Sequence, residues 1–373
     1  MKLPARVPLR TLPRLVHNGG GGGASTMRPL HSTCVRAANV ASVVGTGPPP
    51  EAPVTPSADS YQRVERRRRQ AEMLKTAREI RNVKDGKASG GLKPRFWTNV
   101  DVRQVDDSLQ VFLDQRPLRH PSTKAIIKLP LTKTHLATAL ALEWDHLTSA
   151  QEATKQHLIP LTSLVCRALD IEADDADASK PESSKLRTDV AHMVLRHLET
   201  DSILCWVPPA GPFDVRNDAG ESLRDVQKQT ADEVVSYLTT NVWPGIRIEP
   251  ILDGHSLMPR DQPEGVRDVV HGWITGLDAW EVAGLERAVL AGKSLIAAVR
   301  LIAEWSEGSA NACSFPVDAK PFSAEDAAKA TGLEVDWQSG HWGEVEDTHD
   351  VNREDVLRQL ASVVLLVSGT AKR

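Results

Sequence analysis

The spacing of apolar residues in this 373-residue chain changes once, and that change limits the fold more than any other feature. Val100 and Val102 alternate with polar neighbours, Asp106-Asp107-Ser108 interrupts the run, and Leu109, Val111 and Leu113 alternate again. Period two on both sides of a polar turn predicts an antiparallel hairpin with one buried face. Asp114-Gln115-Arg116-Pro117 predicts a second turn, and residues 125–129 a further short strand ending at Pro130. From there the spacing becomes three and four. Thr132 is placed to cap a helix carrying Leu136, Leu140, Glu143, Trp144 and Leu147. A second helix follows Pro160, with Leu161, Leu164, Val165, Ala168 and Leu169 on one side. Strands with helices segregated around them make an α+β fold, here a small two-layer α/β N-terminal domain over residues 93–174.

Residues 174–184 are acidic, carry Pro181 and predict an exposed boundary loop. Beyond them the period is helical to the end. Leu186, Val190, Met193, Val194 and Leu198 form one stripe, and Leu223, Val226, Thr230, Val234, Tyr237 and Leu238 another. Leu285, Ala288, Val289, Leu295, Ile296, Val299 and Ile302 predict a single longer helix with Gly292 inside it, and Val356, Leu360, Val363 and Val364 close the chain. Several amphipathic helices on short connections predict an all-helical C-terminal bundle domain over 185–370.

Charge divides the chain differently. Residues 1–60 hold 6 Lys/Arg and 2 acids, residues 61–93 hold 11 and 4, and the remainder holds 28 and 43. No acid precedes Glu51, while Lys2, Arg6, Arg10, Arg14, Arg28 and Arg36 are spread among Ser and Thr, which predicts a mitochondrial transit peptide over 1–45 and a matrix location. A secretory signal would need a continuous apolar run after the basic start, and none follows. Residues 46–92 form a basic linker with Pro48–Pro50 at its start; its helix-forming stretch 61–81 reads as a solvated arm ahead of a contact arm for nucleic acid. An acidic body argues against a nucleic-acid groove, because phosphates demand clustered Lys/Arg. No run of about 18 apolar residues predicts a membrane span. Cys34, Cys166, Cys205 and Cys313 lie far apart and suit a reducing compartment.

Motifs for chemistry mostly fail on spacing. Gly292-Lys293-Ser294 lacks the earlier glycine that lets backbone amides wrap a phosphate, so Lys293 reads as a helix-surface residue. Gly254-His255-Ser256 lacks the second small residue of a nucleophile elbow. His192 and His197 are five apart and do not share a helix face as metal ligands at i and i+4 do. Residues 332–350 stand out, with Trp337, Trp342, His341, His349 and carboxylates including Glu334, Glu344, Glu346 and Asp347. Three readings fit: a helix end with tryptophan packed inward, a partner surface with aromatic anchors ringed by acids, and, behind both, a metal or acid–base site.

The order of several short motifs resembles one family. Arg95-Phe96-Trp97, the Val111-to-Pro117 stretch, Lys128-Leu129-Pro130, Leu140-Ala141-Leu142-Glu143-Trp144-Asp145, Ile159-Pro160-Leu161-Thr162 and Thr200-Asp201 with Cys205-Trp206 fall in sequence, followed by Ser294-Leu295, Leu333-Glu334 and Trp342-Gly343. Together they resemble the mitochondrial and alphaproteobacterial chaperones of F(1) ATP-synthase assembly (assembly factor 2, the Atp-twelve family). Gln115 stands where that family has glycine, and residues 308–322 look like an insertion. The resemblance implies a chaperone and not an enzyme, no cofactor, and the unassembled alpha subunit of the F(1) head as partner. It implies Glu334 as the foremost partner-binding residue, with Trp342, Glu346, Asp347 and His349 beside it. The competing expectations are a matrix metal-dependent hydrolase built on Glu334, His341 and His349, and an RNA-binding factor acting through 61–93.

Overall fold

Alternation alone suffices for the first regular elements. The computed structural model describes residues 95–177, 185–256, 258–310, 321–345 and 348–370, with Arg68 alone ahead of them. The 1–45 leader and the 46–92 linker, apart from Arg68, lie outside the described residues, as do Cys34, Cys313, Glu346 and Asp347. Strands β1 (Val100–Val105) and β2 (Ser108–Leu113) pair antiparallel, with Val102 opposite Val111 and Val105 opposite Ser108. The two-residue strand β3 (Arg116–Pro117) continues the sheet in the order β1-β2-β3. Leu109, Val111 and Leu113 are buried from the central strand, whereas Val102 on the edge strand is exposed. Each tight loop puts an aspartate, Asp106 (φ 52°) and Asp114 (φ 56°), in the left-handed region, which Asp tolerates better than most side chains. The positive φ therefore falls on Asp114 and Gln115 carries no such strain. The Asp114 carboxylate also accepts from the backbone N–H of Thr98 (3.1 Å) and Asn99 (2.8 Å).

Residues 125–129 do not make a continuous strand. They meet the sheet through isolated bridges, Leu109 to Leu129 and Arg119 to Ile126, because β3 is already bonded along the far half of β2. Ile127 and Leu129 still bury their side chains as the alternation requires.

Nine α-helices follow among the described residues: α1 (Thr134–His146), α2 (Pro160–Asp175), α3 (Lys185–Leu195), α4 (Leu223–Tyr237), α5 (Val266–Thr275), α6 (Ala279–Gly292), α7 (Leu295–Trp305), α8 (Ala324–Trp342) and α9 (His349–Val367). With the small sheet ahead of them they make the α+β fold. The start of α1 corrects an expectation. Lys133, not Thr132, occupies its N-cap, without a side-chain cap. The Thr132 hydroxyl instead donates to Glu307 across the molecule (3.0 Å), and the buried Lys133 ammonium pairs with the same carboxylate (2.8 Å).

The sheet is tied to α1 and α2 by a chain of donors. Trp97 Nε1 donates to the Trp144 carbonyl (3.3 Å), Trp144 Nε1 to Thr162 Oγ1 (2.9 Å), and Thr162 Oγ1 to the Glu143 carboxylate (2.6 Å). Glu143 also accepts the Leu161 and Thr162 N–H groups that open α2. A carboxylate at a helix N-terminus meets unpaired donors and the positive end of the dipole. Burial nonetheless outweighs these bonds and holds its pKa above the ordinary carboxylate value.

The predicted long helix over Leu285 to Ile302 is two helices. Gly292 ends α6, Lys293 adopts a left-handed conformation (φ 53°) and Ser294 caps α7 through the Ala297 N–H (3.1 Å). The fully buried Asp201 finishes the break from 94 residues away in sequence, accepting the N–H of Leu295 (2.6 Å) and Ile296 (3.0 Å). Burial lifts the Asp201 carboxyl to about 6 against the pull of these bonds. α6 and α7 bury most of their residues, and α2, α8 and α9 all pack on α6. Gly284 lets α9 approach closely: a Cβ there would stand 3.0 Å from Val367 Cγ1.

Candidate functional site

The unusual segment of the sequence folds as the outer end of a helical hairpin. Ser323 opens α8 with a capping box, its hydroxyl accepting from the Asp326 N–H (3.1 Å) while Asp326 accepts the Ser323 N–H (3.0 Å). α8 buries only Ala327 and Ser339. Its inner face carries small residues, and Thr331 lies over the α6–α7 break, where a Cβ on Gly292 would stand 3.0 Å from the Thr331 methyl. Between α8, α9 and that break runs a cleft of about 760 Å³ lined by Lys293, Thr331, Val335, His349, Arg353 and Val356 among others.

Two groups hold the hairpin's turn. His349 Nδ1 accepts from the Val345 N–H (3.3 Å) and lies 3.1 Å from Ser339 Oγ, so the ring joins both helices and their connection. Arg353 reaches from α9 to Glu344 (2.6 Å) and Asp336 (3.3 Å). The bond to Glu344, reinforced by the charge of Asp336, holds the guanidinium pKa above its ordinary value. His341 Nδ1 approaches the Trp337 carbonyl (2.7 Å), with the two rings 4.9 Å apart.

Among its charged residues the hairpin presents four large apolar side chains to water. Trp342 is 74% exposed, Val345 57%, Val351 58% and Val335 41%. Val335 and Trp342 are seven apart on one helix and so share a face. Glu334, Glu344 and Asp350 lie exposed around them. Trp337 is half-buried, which fits inward packing, but Trp342 is not packed at all. The sequence named Trp342 and missed the three valines as site residues, whose only signal was a carboxylate beside each in sequence.

Glu334 is exposed and accepts from Gln338 Nε2 (3.1 Å). It lines a smaller cleft of about 270 Å³ with Ser202, Ile203, Gln227 and Thr230, whereas His349 lines the larger one. The two line different clefts, although Lys293, Thr331 and Val335 border both. Among the described residues no group of three or more His, Cys, Asp or Glu is placed to hold a metal ion. Nor is any described helix long and apolar enough to cross a membrane. Burial pushes the Cys166 thiol up to about 12, with Asp170 and Glu143 adding to the shift. That thiol is therefore a poor nucleophile at neutral pH.

Comparison with known proteins adds three findings. A family description, ATP12 chaperone protein, matches residues 94–239. The chain is 30% identical over 282 residues to "Protein atp12, mitochondrial" of Schizosaccharomyces pombe, covering 73% of this chain and 81% of that one. It is 31% identical over 283 residues to "Protein ATP12, mitochondrial" of Saccharomyces cerevisiae, covering 73% and 82%. Among solved structures, Atp12 from Paracoccus denitrificans superposes with a TM-score of 0.51 at 22% identity, over 74% of this chain and 97% of that one. That likeness supports the α+β fold.

Proposed function

The chain belongs to the ATP12 chaperone family, a family named for chaperones and not enzymes, and on that premise we propose that it holds the unassembled alpha subunit of the F(1) ATP-synthase head in the mitochondrial matrix until the beta subunit takes its place. The observation that carries the reading is the exposure of Val335 and Trp342 on α8, Val345 in the turn and Val351 at the start of α9. Apolar side chains left uncovered between carboxylates are what a surface that covers another protein's sticky contact area needs. An unassembled subunit exposes its future interface, and such surfaces self-associate unless covered. A half-open, acid-rimmed surface can cover one and still release it to a larger interface. Two relatives bear "mitochondrial" in their names, and the acid-free stretch before Glu51 supports the same location.

Glu334 stands on the same helix as Val335 and Trp342 and is proposed as the principal charged contact, with Trp342 as the apolar anchor. His349 and the neighbouring Glu346 and Asp347 are proposed to serve the same surface, His349 by holding its turn. In a pull-down with purified alpha subunit, the wild-type chain is expected to retain the subunit, and Glu334→Lys to retain roughly ten-fold less, as expected when one central contact reverses charge. Equal retention by both, or retention of assembled alpha–beta rings in preference to free alpha subunit, would contradict the proposal.

A further inference from the structure

A second groove, away from the α8–α9 cleft, lies on the other side of α9. One part, about 660 Å³, runs between the 119–122 turn, α2 and α6. The next, about 440 Å³, continues between α2 and α9. Gln156, Leu164 and Arg287 line both, so the two form one trough with Arg287 at its middle. Asp355, Arg358 and Ser362 face this trough, whereas Arg353 and Val356 of the same helix face the α8–α9 cleft.

The charges in the trough are unevenly satisfied. Glu286 accepts two hydrogen bonds from the Arg167 guanidinium (2.7 and 2.9 Å). Asp355 takes Arg358 and Gln359, and these partners keep its pKa low against burial. Arg287 is half-buried and makes no hydrogen bond or ion pair among the described residues. His120, 4% exposed, accepts the Ser122 and Thr123 N–H groups at Nδ1 (3.3 Å each), which leaves the proton on Nε2. That buried Nε2 has no hydrogen-bond partner, although Asp170 Oδ1 lies 3.3 Å away outside bonding geometry. In the trough Glu286 is tied to Arg167 and Asp355 to Arg358 and Gln359, and Asp170 lies against the His120 ring; Arg287, whose charge reaches Asp355, is the lining guanidinium without a hydrogen-bonded partner among the described residues. Between them lie Trp144 and Leu164, with Leu290 52% exposed at the edge.

We propose that this trough is a docking groove for a segment of a partner protein that carries a glutamate or aspartate between apolar side chains, the carboxylate seated on the Arg287 guanidinium. The planar guanidinium fork fits a carboxylate with two parallel bonds. The trough's length and mixed lining suit a peptide segment rather than a small anion. Residues 61–93 of this chain are not that segment, because their 11 Lys/Arg against 4 acids would meet Arg287 with like charge. The inference does not depend on the alpha subunit being the client.

The test uses the isotope-labelled full chain and two pools of nonapeptides. Both pools have Leu, Ile, Val, Ala or Ser at the outer positions; one fixes Glu at the centre, the other Gln. The Glu pool is expected to shift the Trp144 indole N–H and the Arg287 Nε–H resonances and to bind about ten-fold more tightly than the Gln pool, the scale of one charge-assisted bond. Arg287→Gln, with its melting curve confirming an intact fold, is expected to abolish that preference. Equal binding of the two pools, binding of neither, or shifts confined to the α8–α9 cleft would overturn the proposal. So would self-association of the free chain that Arg287→Gln removes, since it would assign the groove to a second copy.

Discussion

The α6–α7 pair and the α8–α9 hairpin pack against each other, yet they treat water in opposite ways. α6 and α7 bury most of their residues, aliphatic and polar alike, and their buried polar groups are matched. Glu281, 1% exposed, accepts from Ser306 Oγ (2.5 Å), Ser309 Oγ (2.7 Å) and the Ala310 N–H (2.8 Å). Arg300 lies between Glu304 and Glu233, with its guanidinium 4.3 Å from the Phe322 ring centroid. α8 buries two residues, and the first turns of α9 are exposed. On the proposed function, one pair carries the stability and the other keeps apolar area uncovered for a partner. A chaperone needs both, because area already packed inside the fold cannot also cover a client.

The comparison breaks most readily at the centre. Leu285→Ala removes a fully buried side chain from α6 and is expected to cost about 3 kcal/mol in denaturant unfolding. A loss below about 1 kcal/mol would mean that the α6–α7 pair is not the stabilising centre.

Asp201→Asn tests how the break between α6 and α7 is held. The amide cannot accept from both flanking sets of N–H groups, so a loss of about 2 kcal/mol is expected. The pH dependence has a definite sign. Burial holds the Asp201 carboxyl at about 6, above its ordinary value of 3.8. The folded chain therefore binds the proton more tightly than the unfolded one. Stability from this group is fully present below the unfolded value and is lost as pH rises through about 6. Denaturation midpoints of the wild type minus those of Asp201→Asn should thus shrink from pH 4 to pH 7. A difference that stayed constant or grew over that range would show that Asp201 is not raised.

The same contrast explains what the sequence could reveal. The hairpin was legible because alternation and an Asp-rich turn are local, and so were the stripes of α2, α3 and α4. The break at Gly292-Lys293-Ser294 was hidden because the helical spacing of Leu285, Val289, Ile296 and Val299 runs almost unbroken across it. The groups that stabilise the break, Asp201 and the Ser202 hydroxyl on the Gly292 carbonyl (3.2 Å), come from another part of the chain. Thr132 was misjudged for the same reason, since its partner Glu307 is 175 residues away. The candidate site was half legible. Residue types between Glu334 and His349 marked the segment, but exposure of Trp342 and separation of Glu334 from His349 depend on how α8 lies against its neighbours. The Arg287 trough left no trace, because it is defined by which charges find partners after folding.

The smallest expected change in stability belongs to the apolar anchor proposed for the client. Trp342→Ala, measured for unfolding and for binding of purified alpha subunit on the same preparation, tests the division of labour directly. The account predicts a stability change within about 0.5 kcal/mol and binding weakened roughly ten-fold or more, as for an aromatic anchor at an interface. A Trp342→Ala chain that unfolds several kilocalories more easily, or that binds the alpha subunit as tightly as the wild type, would contradict it.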